Sequence, residues 1–185
     1  MVRQACLLIL LCVLAAARAE PPGAVPVGPD LTAADLADAL RVETNRVRRD
    51  YGLAPLQASR ALEAAAADQA SYMALMQQAG HGNVFRGQAT VLDRVLRHGL
   101  RPVSVSENVA AKPARSEGTP LSRAALAARL VAAWLDSPGH RANLLDPRAT
   151  HLGCAAHIAR VLGRADYVFG VQVFARLPPE SPVAR

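Results

Sequence analysis

The means to staple itself with disulfides is what this sequence most plainly lacks. Of its three cysteines, Cys6 and Cys12 fall in the first dozen residues. Aromatic residues make up 4% of the chain, too few for a platform on which bases could stack. Lys112 is the single lysine among 21 basic residues. The arginines are scattered with no run of five or six, so the net charge of +6 does not gather into a stripe that would track nucleic acid. There is no G-x-S-x-G elbow, no H-E-x-x-H helix and no internal repeat, which argues against an α/β-hydrolase or a zincin. The C-terminal RLPPESPVAR is polar and proline-rich and carries no hydrophobic anchor. What remains is 51% hydrophobic and 19% charged over 185 residues, the profile of one globular domain.

Residues 1–19 differ from the rest. Arg3 supplies a positive start, residues 7–17 an apolar run, and Ala17 and Ala19 the small residues a signal peptidase checks. This pattern predicts a cleaved secretory signal ending before Glu20. The apolar run is short for a bilayer span of about 20 residues, and bulky Leu10 and Leu11 before Cys12 argue against a lipoprotein. Cleavage removes Arg3 and Arg18, so that 19 basic residues face 15 acids for a net +4. Cys154 is then the only thiol. The expected mature protein is secreted or periplasmic, has no transmembrane segment, and is held together by its core; a domain of this size buries roughly 70% of its unfolded surface. Residues 20–31 form a Pro/Gly-rich lead-in, 32–176 the domain and 177–185 a tail.

The period of apolar residues predicts the elements. Thr32 and Asp35 form a capping pattern ahead of Leu36, Leu40, Val47 and Tyr51, with Asn45 and Arg46 toward the polar side and Gly52 as the stop. A helix from about Ser59 to Ala79 carries Leu62, Ala66, Ala70, Met73 and Met76 on one stripe, with Gly80 ending it. A short helix follows over 90–98, capped by Thr90 and Asp93. Residues 103–110 read as a strand and 112–119 as a loop. Thr119-Pro120 then opens a helix to about Leu135, with Ala124, Ala128, Val131 and Leu135 on one face. Two strands, 150–159 and 166–175, close the chain around a turn at Gly163. The order predicts an α+β fold with an antiparallel sheet.

Three segments place ionisable groups at element ends, where a scaffold can aim them into a cleft: Gly80-His81-Gly82-Asn83, Ser106-Glu107-Asn108-Val109, and Trp134 through Leu145 with Ser137-Pro138-Gly139-His140-Arg141-Ala142-Asn143-Leu144-Leu145 at its end. Spacing alone does not join them. His151 and His157 lie about 20 Å apart along one strand, too far to share a metal. Cys154, beside Leu152 and Ile158, reads as a small core residue. Asn83, Asn108 and Asn143 suit turns and backbone amides, and Arg141 a loop brace or an acid's partner.

At these segments the chain resembles bacterial members of the CAP superfamily, which takes in cysteine-rich secretory proteins, antigen 5 and plant pathogenesis-related proteins. SPGHRANLL carries the likeness most specifically. SENVA is similar to the family's G-E-N segment, with Ser106 in place of Gly, and Asn45, Arg46 and Tyr51-Gly52-Leu53 resemble its opening. The resemblance implies a three-layer α-β-α sandwich around a small central antiparallel sheet. It also implies a cleft of two His and two acids, in which His81 and His140 match the histidines and Glu107 one acid. The second acid's position holds Ser137, adjacent to Asp136, so the tetrad is incomplete. The cleft so implied is lined by His81, Glu107, His140, Ser137 and Asn108.

Chemically, His81, His140 and Glu107 are a set that can hold Zn²⁺ or another divalent cation with an open water position. Alternatively Glu107 sets a histidine tautomer, or the cleft takes a polar ligand without metal. The expectation is an exported, monomeric binding module acting on a lipid, a cell-envelope component or a protein partner, and not on nucleic acid. Its rival is a zinc-dependent hydrolase with Glu107 as third ligand or general base. A structural envelope protein without cleft chemistry is the third reading.

Overall fold

The structure is a computed structural model that describes residues 32–161 and 165–178. The expected signal, the lead-in, most of the tail and the turn at Gly163 lie outside the described residues.

Capping starts the helices where the pattern places them. Thr32 and Asp35 close a full capping box ahead of α1 (Ala33–Asp50), and Arg48 and Arg49 sit in its last turn, where cations complement the helix dipole. A second capping box, Thr90 with Asp93, opens α3 (Val91–Arg97). Between them lie β1 (Gln57–Ala58) and α2 (Arg60–Met76). α2 stops before Gly80, because Gln77 takes the left-handed conformation at φ 54° and closes the last turn.

β2 runs over Ser104–Pro113. The segment expected as a loop folds into a hairpin of β3 (Arg115–Ser116) and β4 (Thr119–Pro120). Glu117 and Gly118, at φ 50° and 80°, supply the two left-handed residues that a tight hairpin turn requires. Pro120 is therefore in a strand and not at the start of a helix. α4 (Arg123–Asp136) starts after Ser122, whose hydroxyl accepts from the Ala125 amide at 3.3 Å. Its buried stripe is Leu126, Ala127, Leu130, Val131 and Trp134, while Ala124 and Ala128 are exposed. Ser137 ends α4 and begins α5 (Pro138–Leu144), with Pro at a position whose amide needs no partner. β5 (His151–Val161) and β6 (Ala165–Arg176) complete the chain.

The four-stranded sheet runs β1-β5-β6-β2. Its three long strands are antiparallel, as expected, and the two residues of β1 add a parallel edge. Alternation along β5 and β6 feeds two cores. Leu152, Cys154, Ala156, Val168 and Phe174 face α1 and α4. Ala155, Phe169, Val171, Val173 and Ala175 face α2 and α3. The result is the α-β-α sandwich.

The two layers approach the sheet differently. A Cβ on Gly153 would sit 2.1 Å from the Leu62 backbone carbon, whereas one on Gly170 would meet the Leu130 side chain, with Cδ1 nearest at 2.7 Å. The alanine-rich inner face of α2 lets backbone meet backbone. Met73 is core, but Met76 is exposed. Asn45, expected on the polar side, is buried and exchanges two hydrogen bonds with the Leu56 backbone.

Candidate functional site

β2 builds the site by its period of two. Glu107 and Asn108 are neighbours, so they point to opposite faces of the sheet edge. Each holds one of the expected histidines.

On the α2–α3 side, Glu107 is buried, with 2% of its side chain exposed. Its Oε1 lies 3.0 Å from His81 Nδ1. Its Oε2 accepts from Arg94 Nη2, and Arg94 is wholly buried. His81 rides on the loop between α2 and α3. That loop is held by polar side chains more than by apolar packing: Gln69 donates to the carbonyls of Gly80 and Gly82, Asn83 donates to Gln88 Oε1 at 3.1 Å, and Arg94 Nη1 donates to the Gln88 carbonyl at 2.8 Å. Val84, by contrast, is 80% exposed.

On the other side, Asn108 Nδ2 donates to the His140 carbonyl at 3.0 Å and to Gln172 Oε1 at 3.1 Å. Gln172 donates in turn to Thr44, whose hydroxyl donates to the Leu40 carbonyl. Asn143 on α5 donates to Asn108 Oδ1 and to the Glu107 carbonyl, at 3.0 and 3.2 Å. A chain of amides thus locks α5 to the sheet and fixes where His140 projects. The two imidazoles meet with ring centroids 6.1 Å apart and planes inclined by 45°.

Their environments push them in opposite directions. The hydrogen bond to Glu107 raises the His81 pKa above its ordinary 6.5, against a smaller effect of burial. Burial lowers that of His140, and the charge of His81 adds to the effect. His81 is accordingly the ring that takes up a proton first, and His140 the one that stays neutral longer, as pH falls through the ordinary histidine range.

Of the expected cleft residues, the structure brings His81, Glu107, His140 and Asn108 together. Ser137 ends α4, and its hydroxyl makes no hydrogen bond among the described residues; Asp136 is exposed. Both Glu107 oxygens are engaged, Oε1 with His81 and Oε2 with Arg94, and no group of three metal-ligating side chains converges among the described residues. With Nδ1 toward Glu107, His81 Nε2 makes no hydrogen bond among the described residues.

Arg94 went unread in the sequence because it is one of many arginines in the chain, on a helix of seven residues. Gln69 and Gln172 had no signal beyond being amides on buried stripes. Arg141 lies against Tyr51, 3.2 Å from its hydroxyl and 5.5 Å from its ring centroid, and not against an acid. Cys154 is buried and its thiol is pushed up by desolvation, as a core residue's would be. A groove of about 480 Å³ lies elsewhere, between α1 and α2, lined by Ala33, Ala37, Arg60, Ala64 and Cys154 among others; neither cleft histidine reaches it.

This sandwich, with a histidine pair at the edge of its sheet, defines a class. The chain belongs to the CAP, or cysteine-rich secretory protein, family, whose model matches residues 43–174. It is 30% identical over 110 residues to an uncharacterized protein, YkwD, of Bacillus subtilis; the match covers 60% of this chain and 38% of that one, so the chain spans about two-fifths of this relative's length. Among solved structures it is similar to an extracellular SCP-domain protein of Bacillus anthracis (TM-score 0.58, 24% identity, 80% of this chain and 45% of that one). It is also similar to an outer surface protein of Borrelia burgdorferi (TM-score 0.60, 19% identity, 80% and 97%). At such identities these likenesses concern the fold. Among the described residues, no helix is long and apolar enough to cross a membrane.

Proposed function

We propose that this chain is an exported binding module whose cleft takes a divalent cation such as zinc on His81 and His140 and presents it to a lipid, cell-envelope or protein partner. The observation that carries this reading is the Glu107–His81 hydrogen bond beside the second ring. It sets the proton on Nδ1 and turns Nε2 toward a ligand. Two imidazoles at this separation, one with a carboxylate behind it, fit a cation whose remaining positions are open. When bound, the cation supplies a Lewis acid that attracts an anionic or carbonyl group of the partner. Asn108 and Asn143 hold His140 in place, and Arg94 supplies the counter-charge to Glu107.

The hydrolase alternative asks Glu107 to serve as general base or third ligand. Its commitment to His81 and Arg94 favours binding over hydrolysis. Export is supported by the signal-like residues 1–19 and by relatives described as extracellular and as an outer surface protein.

Calorimetric zinc titration of the wild type beside His81→Ala and His140→Ala tests the proposal. One zinc per wild-type chain, lost in both variants, is the expected result. Affinity should rise with pH, because the proton that Glu107 helps His81 to hold competes with the metal. No wild-type binding, or equal binding by both variants, defeats the cation reading. A purely structural envelope protein would behave in that way.

A further inference from the structure

We infer that Arg94 is a positioning residue for this cleft: by bridging Glu107 and the loop that carries His81, it fixes which nitrogen of His81 faces a ligand. The inference rests on the cleft reading above, but it is tested without any cation.

Three observations meet at Arg94. Its side chain is completely buried, although arginine is among the residues least often found so. Its planar fork divides between two targets, with Nη2 on Glu107 Oε2 and Nη1 on the Gln88 carbonyl. Nη1 also lies 3.5 Å from the carbonyl of His81 itself. Glu107 has two oxygens and two partners, one for each. With Oε2 held by the guanidinium, Oε1 has one place to go, which is His81 Nδ1. At the far end of the same fork, Gln88 closes the network of Asn83 and Gln69 that holds the loop. The guanidinium therefore ties the carboxylate and the backbone bearing its histidine partner into one rigid piece.

A merely structural ion pair would not need this geometry. A buried carboxylate could be matched by any cation on α3, whereas a lysine ammonium, a point charge on a flexible stem, is a poor substitute where a fork spans two acceptors. Arg94 Nε is buried without a hydrogen-bond partner. That cost is tolerated where both Nη groups are committed.

The test compares Arg94→Lys, which keeps the charge, with Arg94→Gln, which keeps a donor and loses the charge. The readout is the ¹⁵N and ¹H spectrum of the His81 ring in cation-free protein. In the wild type the neutral ring should be a single tautomer with a protected Nδ1 proton. In Arg94→Lys, Glu107 should swing between partners, so that the Nδ1 proton exchanges and the ring averages over both tautomers. In Arg94→Gln the effect should be larger. The signals of His140, held by Asn108 on the opposite face, should stay in place in both variants, which also reports that the fold is intact. A sharp wild-type His81 ring in folded Arg94→Lys overturns the inference. Equal disturbance of His81 and His140 overturns it as well, because Arg94 would then be a general structural residue.

Zinc titration of the same variants separates the two claims. If the wild type binds zinc, Arg94→Lys should bind about tenfold more weakly, the low end of what such outer partners cost. If the wild type binds none, the cation reading fails while the tautomer result still decides the role of Arg94.

Discussion

The two histidines of the cleft are supported by opposite means. His81 sits on a loop, backed by a buried carboxylate and a buried guanidinium. His140 sits on a short helix whose backbone is held by the neutral amides of Asn108, Gln172 and Asn143. The charged support raises proton affinity, and the neutral one leaves burial to lower it. Two chemically identical side chains thus become an unequal pair because a strand presents successive residues to opposite faces. The same asymmetry runs through the layers above them: α2 meets the sheet backbone to backbone at Gly153, whereas α4 meets it through a side chain at Gly170.

The largest expected break in this comparison is Gly153→Ala. Its Cβ would collide with the Leu62 backbone, so the whole of α2 must move, at a cost of about 3 kcal/mol or more. Gly170→Ala meets a leucine methyl that can rotate, and should cost about 1 kcal/mol. Urea unfolding followed by the single tryptophan, Trp134, measures both. Equal losses would mean that the two layers are equally tolerant.

Next in size are the two supports themselves. Glu107→Gln leaves the buried guanidinium of Arg94 without an anion and should cost about 3 kcal/mol. It should also lower the His81 pKa, because the hydrogen bond to the carboxylate is the largest cause of its rise. Asn108→Ala leaves the buried amide of Gln172 and the His140 carbonyl short of a partner. That should cost about 1–3 kcal/mol and loosen α5 without moving the His81 pKa. If Asn108→Ala shifted His81 as much as Glu107→Gln does, the two supports would be one network and the contrast would collapse.

How much of this was legible depended on range along the chain. Capping boxes are local, so Thr32 with Asp35 and Thr90 with Asp93 marked two helix starts. The α+β class and its antiparallel sheet followed from period and order, the three layers from the family likeness, and Cys154 was placed in the core by the strand's alternation. The start of α4 was misplaced because Thr119-Pro120 resembles a helix opening; the left-handed pair Glu117 and Gly118 turns those residues into a hairpin instead. The two residues of β1 carry no pattern at all. In the cleft, His81, Glu107 and His140 were brought together by family likeness alone, since 26 and 33 residues separate them in turn. Arg94 could not be read because its role lies in a pairing across elements. On a short amphipathic helix, an arginine next to Val95 looks like the start of the polar face.

The smallest expected effect is also the most direct test of the unequal pair, because it concerns sign. The His81 pKa is raised in the folded protein, so the stability its protonation contributes is fully present below its ordinary value of 6.5 and is lost as pH rises through the higher folded value. The His140 pKa is lowered, so its contribution is present above 6.5 and is lost as pH falls through the lower folded value. Relative to wild type, His81→Ala should therefore be more destabilised on the acid side of 6.5 than on the alkaline side. His140→Ala should show the reverse, recovering relative to wild type in acid. His81→Ala should in addition let the His140 pKa rise, since one of the two causes of its depression is the His81 charge, yet burial should keep it below 6.5. Urea midpoints on either side of pH 6.5, with an NMR titration of His140, measure all of this. If both alanine variants change stability with the same pH sign, the histidines share one environment, and the division of support between Glu107 and Asn108 does not set their chemistry.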